Sequence, residues 1–525
     1  MTSVTESATQ VRRRSRFQLL FQRVTGYNGL ADRVIDEDLH NRQVSVRPCG
    51  AFSAASDTVS DLFRMHKSTK TGLIGIAILI CVALVVLLLN LESIKSSHGD
   101  CVQLDGEERC HSTDSNPFRY YGTKTAYHIA LQNGTNYDQD TQNCEAKVFY
   151  LLSRHATRYP DADNMKVMND ALLKLKEKII NSSYTDKVKM CQNDLERLKM
   201  WTISFRLEDD NKISSTGEEE AIELARNFKK RFPAIFNQDY TPEKFVFEYT
   251  SRERTRSTAE YFAKGLFDEG YKDIDFEEKL NDEVLQFHKK CQRMQKDCKD
   301  KSLNVLEIIE FDHGPLMMKL TKSISDKVGF ELTMDEVLTM YKACFFTYAL
   351  DMDDAWCSLF SPDELKVLEY AGDIDDYYKD AYGNEINPKQ ACPVADYVVD
   401  LFREYENVSN SKAVMQFSHA GGVKKVFSLF GLFKDEKPLK ADDFCSQQQR
   451  KWRSSLVAPF NANLALILFQ CGIELKIKGF HNEKPVILGG CETELCALED
   501  FYKTYSPIAE ECDLRKLCCK CCMPS

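Results

Sequence analysis

Apolar residues are spaced along this chain in three ways, and each predicts a different element. The first is an unbroken run. Residues 72–89, GLIGIAILICVALVVLLL, contain no charge. At about 1.5 Å rise per residue, eighteen of them suffice to cross the hydrocarbon core of a bilayer. A core helix of that length in a soluble domain keeps a polar face, and this run has none, so a transmembrane helix is predicted over 71–91. It begins too deep for a cleaved signal peptide. Arg64, Lys67 and Lys70 precede it, while Glu92, Lys95 and Asp100 follow. The positive-inside rule then leaves residues 1–70 in the cytosol and the rest across the membrane. This is the pattern of a single-pass type II signal anchor, with the ectodomain luminal or extracellular.

The second pattern is short and strand-like. AKVFYLLS (146–153) and AVMQFS (413–418) are continuous apolar runs that fit buried central strands, and KFVFEYTS (244–251) alternates. The third is helical. VMNDALLKLKEKII starts at Val167, and SSTGEEEAIELARNFKKRFPAIF starts at Ser214, where Thr216 and Glu219 make a capping-box signature. A helix follows RERTRSTAEYFAKGL (252–266), the stretch 270–405 reads helical with loops, and VKKVFSLFGLF (423–433) reads as an amphipathic helix. NLALILFQC and IELKIKGFHNEKPVIL read as a strand and a hairpin.

Strands alternating with helices predict an α/β fold: a mainly parallel sheet flanked by helices, with a helical cap inserted over roughly 270–405. Residues 141–512 form the expected ectodomain. Residues 92–140, polar and broken by Gly and Asn, predict a stem, and residues 513–525 a cysteine-rich tail.

Composition narrows the partners. Charged residues at 28% and hydrophobic ones at 43% describe a globular chain. The net charge of -11 argues against nucleic acid as a partner. Residues 1–70 carry +4 and the remainder -15, so an anionic ligand must enter through a local basic pocket. The basic segment VRRRSRF (11–17) reads either as a sorting patch near anionic lipid or as part of a solvated tail. Eighteen of the twenty cysteines and all three glycosylation sequons, at Asn133, Asn181 and Asn407, follow the apolar run. Both agree with an oxidising compartment and a disulfide-bonded glycoprotein. CQRMQKDC predicts a local bridge from Cys291 to Cys298. The tail CCKCCMPS predicts disulfides or disorder; a metal site from Cys518, Cys519, Cys521 and Cys522 is disfavoured because adjacent cysteines make poor tetrahedral geometry.

Candidate chemistry lies where the strands end. FYLLSRHATRYP (149–160) closes an apolar run with Arg154, His155 and Arg158. Three polar side chains at that point bury nothing and repel one another if all are charged, and an anion between them removes the conflict. The second and third strands run into Arg254 and His419. In open α/β sheets, ligands bind beyond the carboxyl ends of the strands. Arginine forks match phosphate oxygens bidentately, so Arg154, Arg158 and Arg254 suit a phosphate pocket with His419 as a further donor. His155 is then placed to attack phosphorus and form a phosphohistidine that water discharges. No metal or other cofactor is required, because the arginines supply the positive field.

RHATRYP resembles the R-H-G-x-R-x-P signature of the histidine acid phosphatases. The later segments STGEEEAIELARNFKKRFPAIF, RTRSTAEYFAKGL and FSHAGGVKKVFSLFGLFKDEKPL occur in that family's order. Within the family, WCSLFSPDELKVLEY, AYGNEIN and FKDEKPL resemble segments of multiple inositol polyphosphate phosphatases, a likeness spanning roughly residues 140–512. The resemblance implies a phosphomonoesterase acting on inositol polyphosphates and on 2,3-bisphosphoglycerate. It makes His155 the nucleophile and Arg154, Arg158, Arg254 and His419 the phosphate binders. Two departures stand out. The family's glycine after the first histidine is Ala156, a strain of about 1 kcal/mol if that position needs a positive φ. The family's acid after the second histidine, the Glu of H-A-E, is Gly421. A positioned general acid contributes about 10²–10⁴-fold, so alternatives to fast inositol phosphate hydrolysis are a pseudophosphatase that binds without turnover and a broad-specificity acid phosphatase. Glu253, beside Arg254, and the Asp/Glu-rich segments nearby are candidate substitute acids, and nothing in the sequence selects one.

Overall fold

Ten residues, Glu145–Arg154, form the strand β1 at the middle of the sheet. The computed structural model describes residues 117–131, 141–289, 291 and 304–519, with 101, 102, 104 and 110 and without 186 and 278. The expected membrane helix and cytosolic tail, Asn133, Cys298 and residues 520–525 lie outside the described residues. Among the described residues no helix is long and apolar enough to cross a membrane.

Along β1 the apolar run serves both faces. Val148, Tyr150 and Leu152 enter one buried cluster and Phe149 and Leu151 the other, as the two-residue period of a strand requires. β2 (Phe245–Tyr249), β3 (Lys412–Ser418), β4 (Asn463–Cys471), β5 (Glu474–His481) and β6 (Lys484–Val486) complete the order β2-β3-β1-β4-β5-β6, with β7 (Leu495–Ala497) also on β5. β1 and β2 both run parallel to β3, whereas β1–β4, β4–β5, β5–β6 and β5–β7 are antiparallel. The sheet is therefore mixed, not mainly parallel. The difference lies in the antiparallel β1–β4 and β4–β5 pairings, while the β5–β6 pair is the expected hairpin. Gly472 takes a positive φ in the β4–β5 turn. Asn482 and Glu483 both take positive φ between β5 and β6, the backbone that two-residue hairpins need.

The helices Ser215–Arg231 and Glu253–Phe267 cover the Phe149 face. The helical middle occupies the other. The helices Pro315–Val328, Met334–Asp351, Pro362–Asp380 and Cys392–Val408 contribute to the same core as Val148 and Tyr150. The expected insertion thus shares its core with the sheet.

Three expectations change. Part of the polar segment 92–140 belongs to the domain, for Tyr121, Ala126 and Tyr127 are buried in it. The helix expected to begin with a Thr216–Glu219 capping box begins two residues earlier. Ser214 is the N-cap, accepting from the Gly217 amide at 3.1 Å, and the Thr216 hydroxyl donates to Leu350 instead. Finally, Cys291 pairs with Cys518, not with Cys298. Among the described residues the other bridges are Cys101–Cys445, Cys110–Cys191, Cys144–Cys471, Cys344–Cys357, Cys392–Cys512 and Cys491–Cys496. Asn181 and Asn407 are exposed.

Candidate active site

The parallel register brings the strand ends level. Arg154 of β1 lies beside Ser418 of β3, and Tyr249 of β2 lies beside Phe417. Thr250, Arg154 and Ser418 therefore leave the sheet on one line, and His155 and His419 are the next residues out. The imidazole centroids of His155 and His419 are 5.7 Å apart. Backbone bonds fix the first turn of the loop: His155 N donates to Ser418 O at 3.0 Å, and Asn461 N donates to His155 O at 3.2 Å.

His155 is buried, and its Nδ1 lies 2.9 Å from the carbonyl oxygen of Ala156. A carbonyl only accepts, so Nδ1 carries the proton and Nε2 keeps its lone pair. Burial, then Arg254, Arg154 and Arg158, then His419, push the His155 pKa well below its ordinary value. The nucleophilic form is thus the resting form. Ala156 does not have a positive φ, so the alanine in the glycine position carries no backbone strain; its amide donates to Thr258 Oγ1 at 3.1 Å.

Arg154 is buried, and its Nη1 donates to the carbonyls of Thr123 and Ala458. Its guanidinium stacks 4.5 Å from the Phe460 ring centroid. Burial and then Arg158 pull its pKa down to about 9. Burial also lowers Arg158, against the opposing pull of Asp161 and Asp210. The Nε atoms of Arg154 and Arg158 are buried without a hydrogen-bond partner, which is costly unless a ligand satisfies them. Arg254 opens the helix Glu253–Phe267; its carbonyl accepts from Thr258 at 2.7 Å, the same hydroxyl that holds Ala156. One threonine therefore ties the β1 loop to the helix that presents Arg254.

His419 caps the helix Ala420–Leu429 and is buried. Its Nε2 lies 2.9 Å from Thr250 Oγ1, which is 2.8 Å from Thr255 Oγ1, while Nδ1 is buried with no partner. Thr255 Oγ1 donates to the Arg252 carbonyl at 2.7 Å, so Thr250 donates to Thr255 and accepts from His419 Nε2–H, which leaves Nδ1 of the neutral ring without a proton. Burial, then Arg254 and His288, lower the His419 pKa well below 6.5. All five residues singled out in the sequence thus meet at one place: Arg154, His155 and Arg158 on the β1 loop, with Arg254 and His419 acting electrostatically on His155.

Several residues of the site carried no signal in the sequence. Glu220 is buried and its pKa is raised to about 7, mainly by burial. It accepts from Thr157 Oγ1 at 2.7 Å and from Thr157 N at 3.2 Å, and so holds the loop from beneath. Gly217 is needed there, since a Cβ would lie 2.1 Å from the Thr157 carbonyl oxygen. The helix Pro362–Asp380 begins with a Ser361–Glu364 capping box and turns Glu369, Asp373, Asp376 and Asp380 towards the site region. Asp373 accepts from Ser454 N at 2.7 Å and from Arg450, and Glu369 accepts from Ser455. Together they anchor the stretch that ends in the Ala458 carbonyl. Asp376 and Asp380 pair with Lys424 and Lys425. The helix expected to be amphipathic therefore buries both lysines. Glu253, one of the candidate substitute acids, is exposed, and the carboxylate that faces Gly421 is Asp380.

The histidine phosphatase superfamily (branch 2) profile matches residues 147–487. The chain is 28% identical over 430 residues to Multiple inositol polyphosphate phosphatase 1 of Drosophila melanogaster, covering 78% of this chain and 90% of that protein. It is 25% identical over 368 residues to a thiamine-repressible acid phosphatase of Schizosaccharomyces pombe, covering 67% and 78%. The fold is similar to the crystal structure of the phytase from D. castellii, with a TM-score of 0.60 at 18% identity over 77% of this chain and 88% of that one. It is also similar to the Bifidobacterium longum multiple inositol polyphosphate phosphatase in complex with inositol hexasulfate, with a TM-score of 0.56 at 13% identity over 73% and 96%.

Proposed function

The chain belongs to branch 2 of the histidine phosphatase superfamily, and from that premise we propose that it is a hydrolase removing phosphate from inositol polyphosphates through a phosphohistidine on His155. The observation that carries the reading is the convergence of one neutral, buried imidazole with three arginines and a second histidine at the level ends of β1, β2 and β3. The names of the curated relatives, inositol polyphosphate phosphatases and acid phosphatases, support the same substrate class.

In this reading His155 Nε2 attacks the phosphorus atom. Arg154, Arg158 and Arg254 take up the charge spread over its equatorial oxygens, with His419 beside His155. Water then discharges the phosphohistidine. The test is product analysis. Incubation with inositol hexakisphosphate should yield lower inositol phosphates, and His155→Ala should reduce that yield at least 10³-fold. Equal product from the variant would overturn the reading.

A second reading is favoured by Gly421, where the family's proton donor is missing: a pseudophosphatase that binds inositol phosphates without turnover. Calorimetric binding of inositol hexakisphosphate with no lower phosphates formed would select it. Comparable rates on unrelated phosphomonoesters, 2,3-bisphosphoglycerate included, would instead mark a broad-specificity acid phosphatase. The run 72–89 supports a type II membrane anchor with the hydrolase domain on the luminal or outer side; glycosidase-sensitive mass at Asn181 and Asn407 tests that orientation.

A further inference from the structure

The leaving-group side of the site is built from three elements that share charge. A Cβ at Gly421 would lie 3.4 Å from both carboxylate oxygens of Asp380. Lys424 and Lys425 stand three and four residues further along the same helix, on the face of Gly421, and helical side chains lean towards the N-terminus. Their ammonium groups therefore reach back over the glycine. Lys424 Nζ bonds Asp376 and lies 2.8 Å from Asp380 Oδ2, while Lys425 Nζ bonds Asp380 Oδ1 and the Lys379 carbonyl. Both lysines are buried, at 2% and 1% exposure.

This cluster holds cations but no protonated carboxyl. Burial alone would raise the Asp380 pKa, yet Lys424 and Lys425 outweigh it and hold the group well below the usual carboxylate range. Burial raises the Asp376 pKa, but its carboxylate bonds the Lys424 ammonium. His288, whose ring is 3.3 Å from a Cβ placed on Gly422, is driven down to about 3 by burial and then by Lys425. His419, beyond it, is also neutral. The groups on this side include the Asp376 and Asp380 carboxylates, the Lys424 and Lys425 ammonium ions and the His288 and His419 imidazoles, with Lys289 acting on both rings and Arg254 and Arg158 on His419. An alkoxide leaving group needs a proton, and the groups here that could give one, the Lys424 and Lys425 ammonium ions, are tied to Asp376 and Asp380. A leaving phosphate needs none; it needs positive charge and hydrogen-bond donors. Each ammonium has three N–H groups, and Lys424 and Lys425 each bond two partners: Asp376 and Asp380, and Asp380 and the Lys379 carbonyl.

We propose that this site favours leaving groups that depart as anions, so that its preferred substrates are phosphoanhydrides, the diphosphate groups of a pyrophosphorylated polyol or a similar diphosphate, over alcohol phosphates. The inference rests on the phosphohistidine reading above. His155 Nε2 forms a bond to the terminal phosphorus while the bond from phosphorus to the bridging oxygen breaks. The electron pair leaves on that oxygen, as part of a phosphate stabilised by Lys424 and Lys425. Water then attacks the phosphohistidine, the N–P pair returns to His155, and both protons of the water leave with the product dihydrogen phosphate.

The experiment measures kcat/KM of the full chain for three probes: inorganic pyrophosphate, inositol hexakisphosphate and para-nitrophenyl phosphate. Pyrophosphate should exceed inositol hexakisphosphate about 100-fold or more, the range a missing general acid accounts for. Lys424→Met should lower the pyrophosphate value at least tenfold more than the para-nitrophenyl value. Gly421→Glu, which places a carboxyl against Asp380, should narrow the pyrophosphate preference at least tenfold by speeding the alcohol ester. Inositol hexakisphosphate turning over as fast as pyrophosphate, while para-nitrophenyl phosphate still labels His155, would overturn the inference and leave the phosphohistidine reading standing. Absence of labelling and turnover with every probe would remove both.

Discussion

At the scale of single residues the site depends on which nitrogen holds which proton. The Ala156 carbonyl assigns the His155 proton to Nδ1, and the surrounding arginines with burial keep the ring from taking a second one. Because the folded pKa lies below the ordinary 6.5, the lone pair on Nε2 persists as pH falls. The rate of His155 labelling by an aryl phosphate should then stay flat from pH 7 to 5 once substrate ionisation is corrected for. A decline of about tenfold per pH unit below about 6.5 would mean an ordinary histidine. Thr250 acts through His419: Thr250→Val removes the 2.9 Å contact to Nε2. Since one such bond is worth about 0.5–1.5 kcal/mol, kcat/KM for an aryl phosphate should fall up to about tenfold with the pH profile unchanged; no change would show that His419 is oriented without it. His155 and the arginines beside it were legible because strand and loop are consecutive in sequence. Thr250 and Glu220 were not, because an alcohol after a strand or an acid inside a helix has no distinguishing neighbours until the fold supplies Ser418, Thr157 and His419.

At the scale of elements, two helices do more than pack. The N-terminal turn of Ser215–Arg231 comes so close to the RHATRYP loop that only glycine fits at 217. Gly217→Ala should shift the denaturation midpoint by an amount equal to about 1–3 kcal/mol, the usual cost of overpacking, and should reduce activity with it. Gly372→Ala is the control, because a Cβ there meets nothing within 4 Å and alanine suits a helix interior better; it should leave the midpoint unchanged or slightly higher. Equal effects from the two would contradict the close approach. The helix Pro362–Asp380 spaces Glu369, Asp373, Asp376 and Asp380 four, three and four residues apart. That spacing was visible in EYAGDIDDYYKD and reads by itself as a solvated acidic face. Its partners, Arg450, Ser455, Lys424 and Lys425, lie 44 to 86 residues away, so burial of the face was not legible. The same separation hid the burial of the lysines in VKKVFSLFGLF.

For the whole molecule, periodicity gave the order of strands and helices, and the strand ends gave the site. What pattern alone withheld was pairing. Short apolar strands read alike whether their neighbours run parallel or antiparallel, so the antiparallel β1–β4 and β4–β5 pairings turned an expected mainly parallel sheet into a mixed one, while the expected hairpin is the β5–β6 pair. Cysteine spacing likewise favoured the nearest partner, whereas Cys291 reaches Cys518, 227 residues on. Peptide mapping without reduction should recover the Cys291–Cys518 pair; a Cys291–Cys298 peptide would contradict this packing of the C-terminal helix. The Cys144–Cys471 bridge joins the residue before β1 to the last residue of β4, and replacing both cysteines with alanine should cost about 2–5 kcal/mol of stability, read from the denaturation midpoint. The central claim is that the converging strand ends make His155 a phosphate acceptor. Rapid quenching after mixing with para-nitrophenyl phosphate, followed by mass spectrometry under alkaline conditions, should find one phosphoryl group on the peptide containing residues 149–160, at His155, and none in His155→Ala. Turnover with no phosphate on that peptide, or with the label on another residue, would contradict the account.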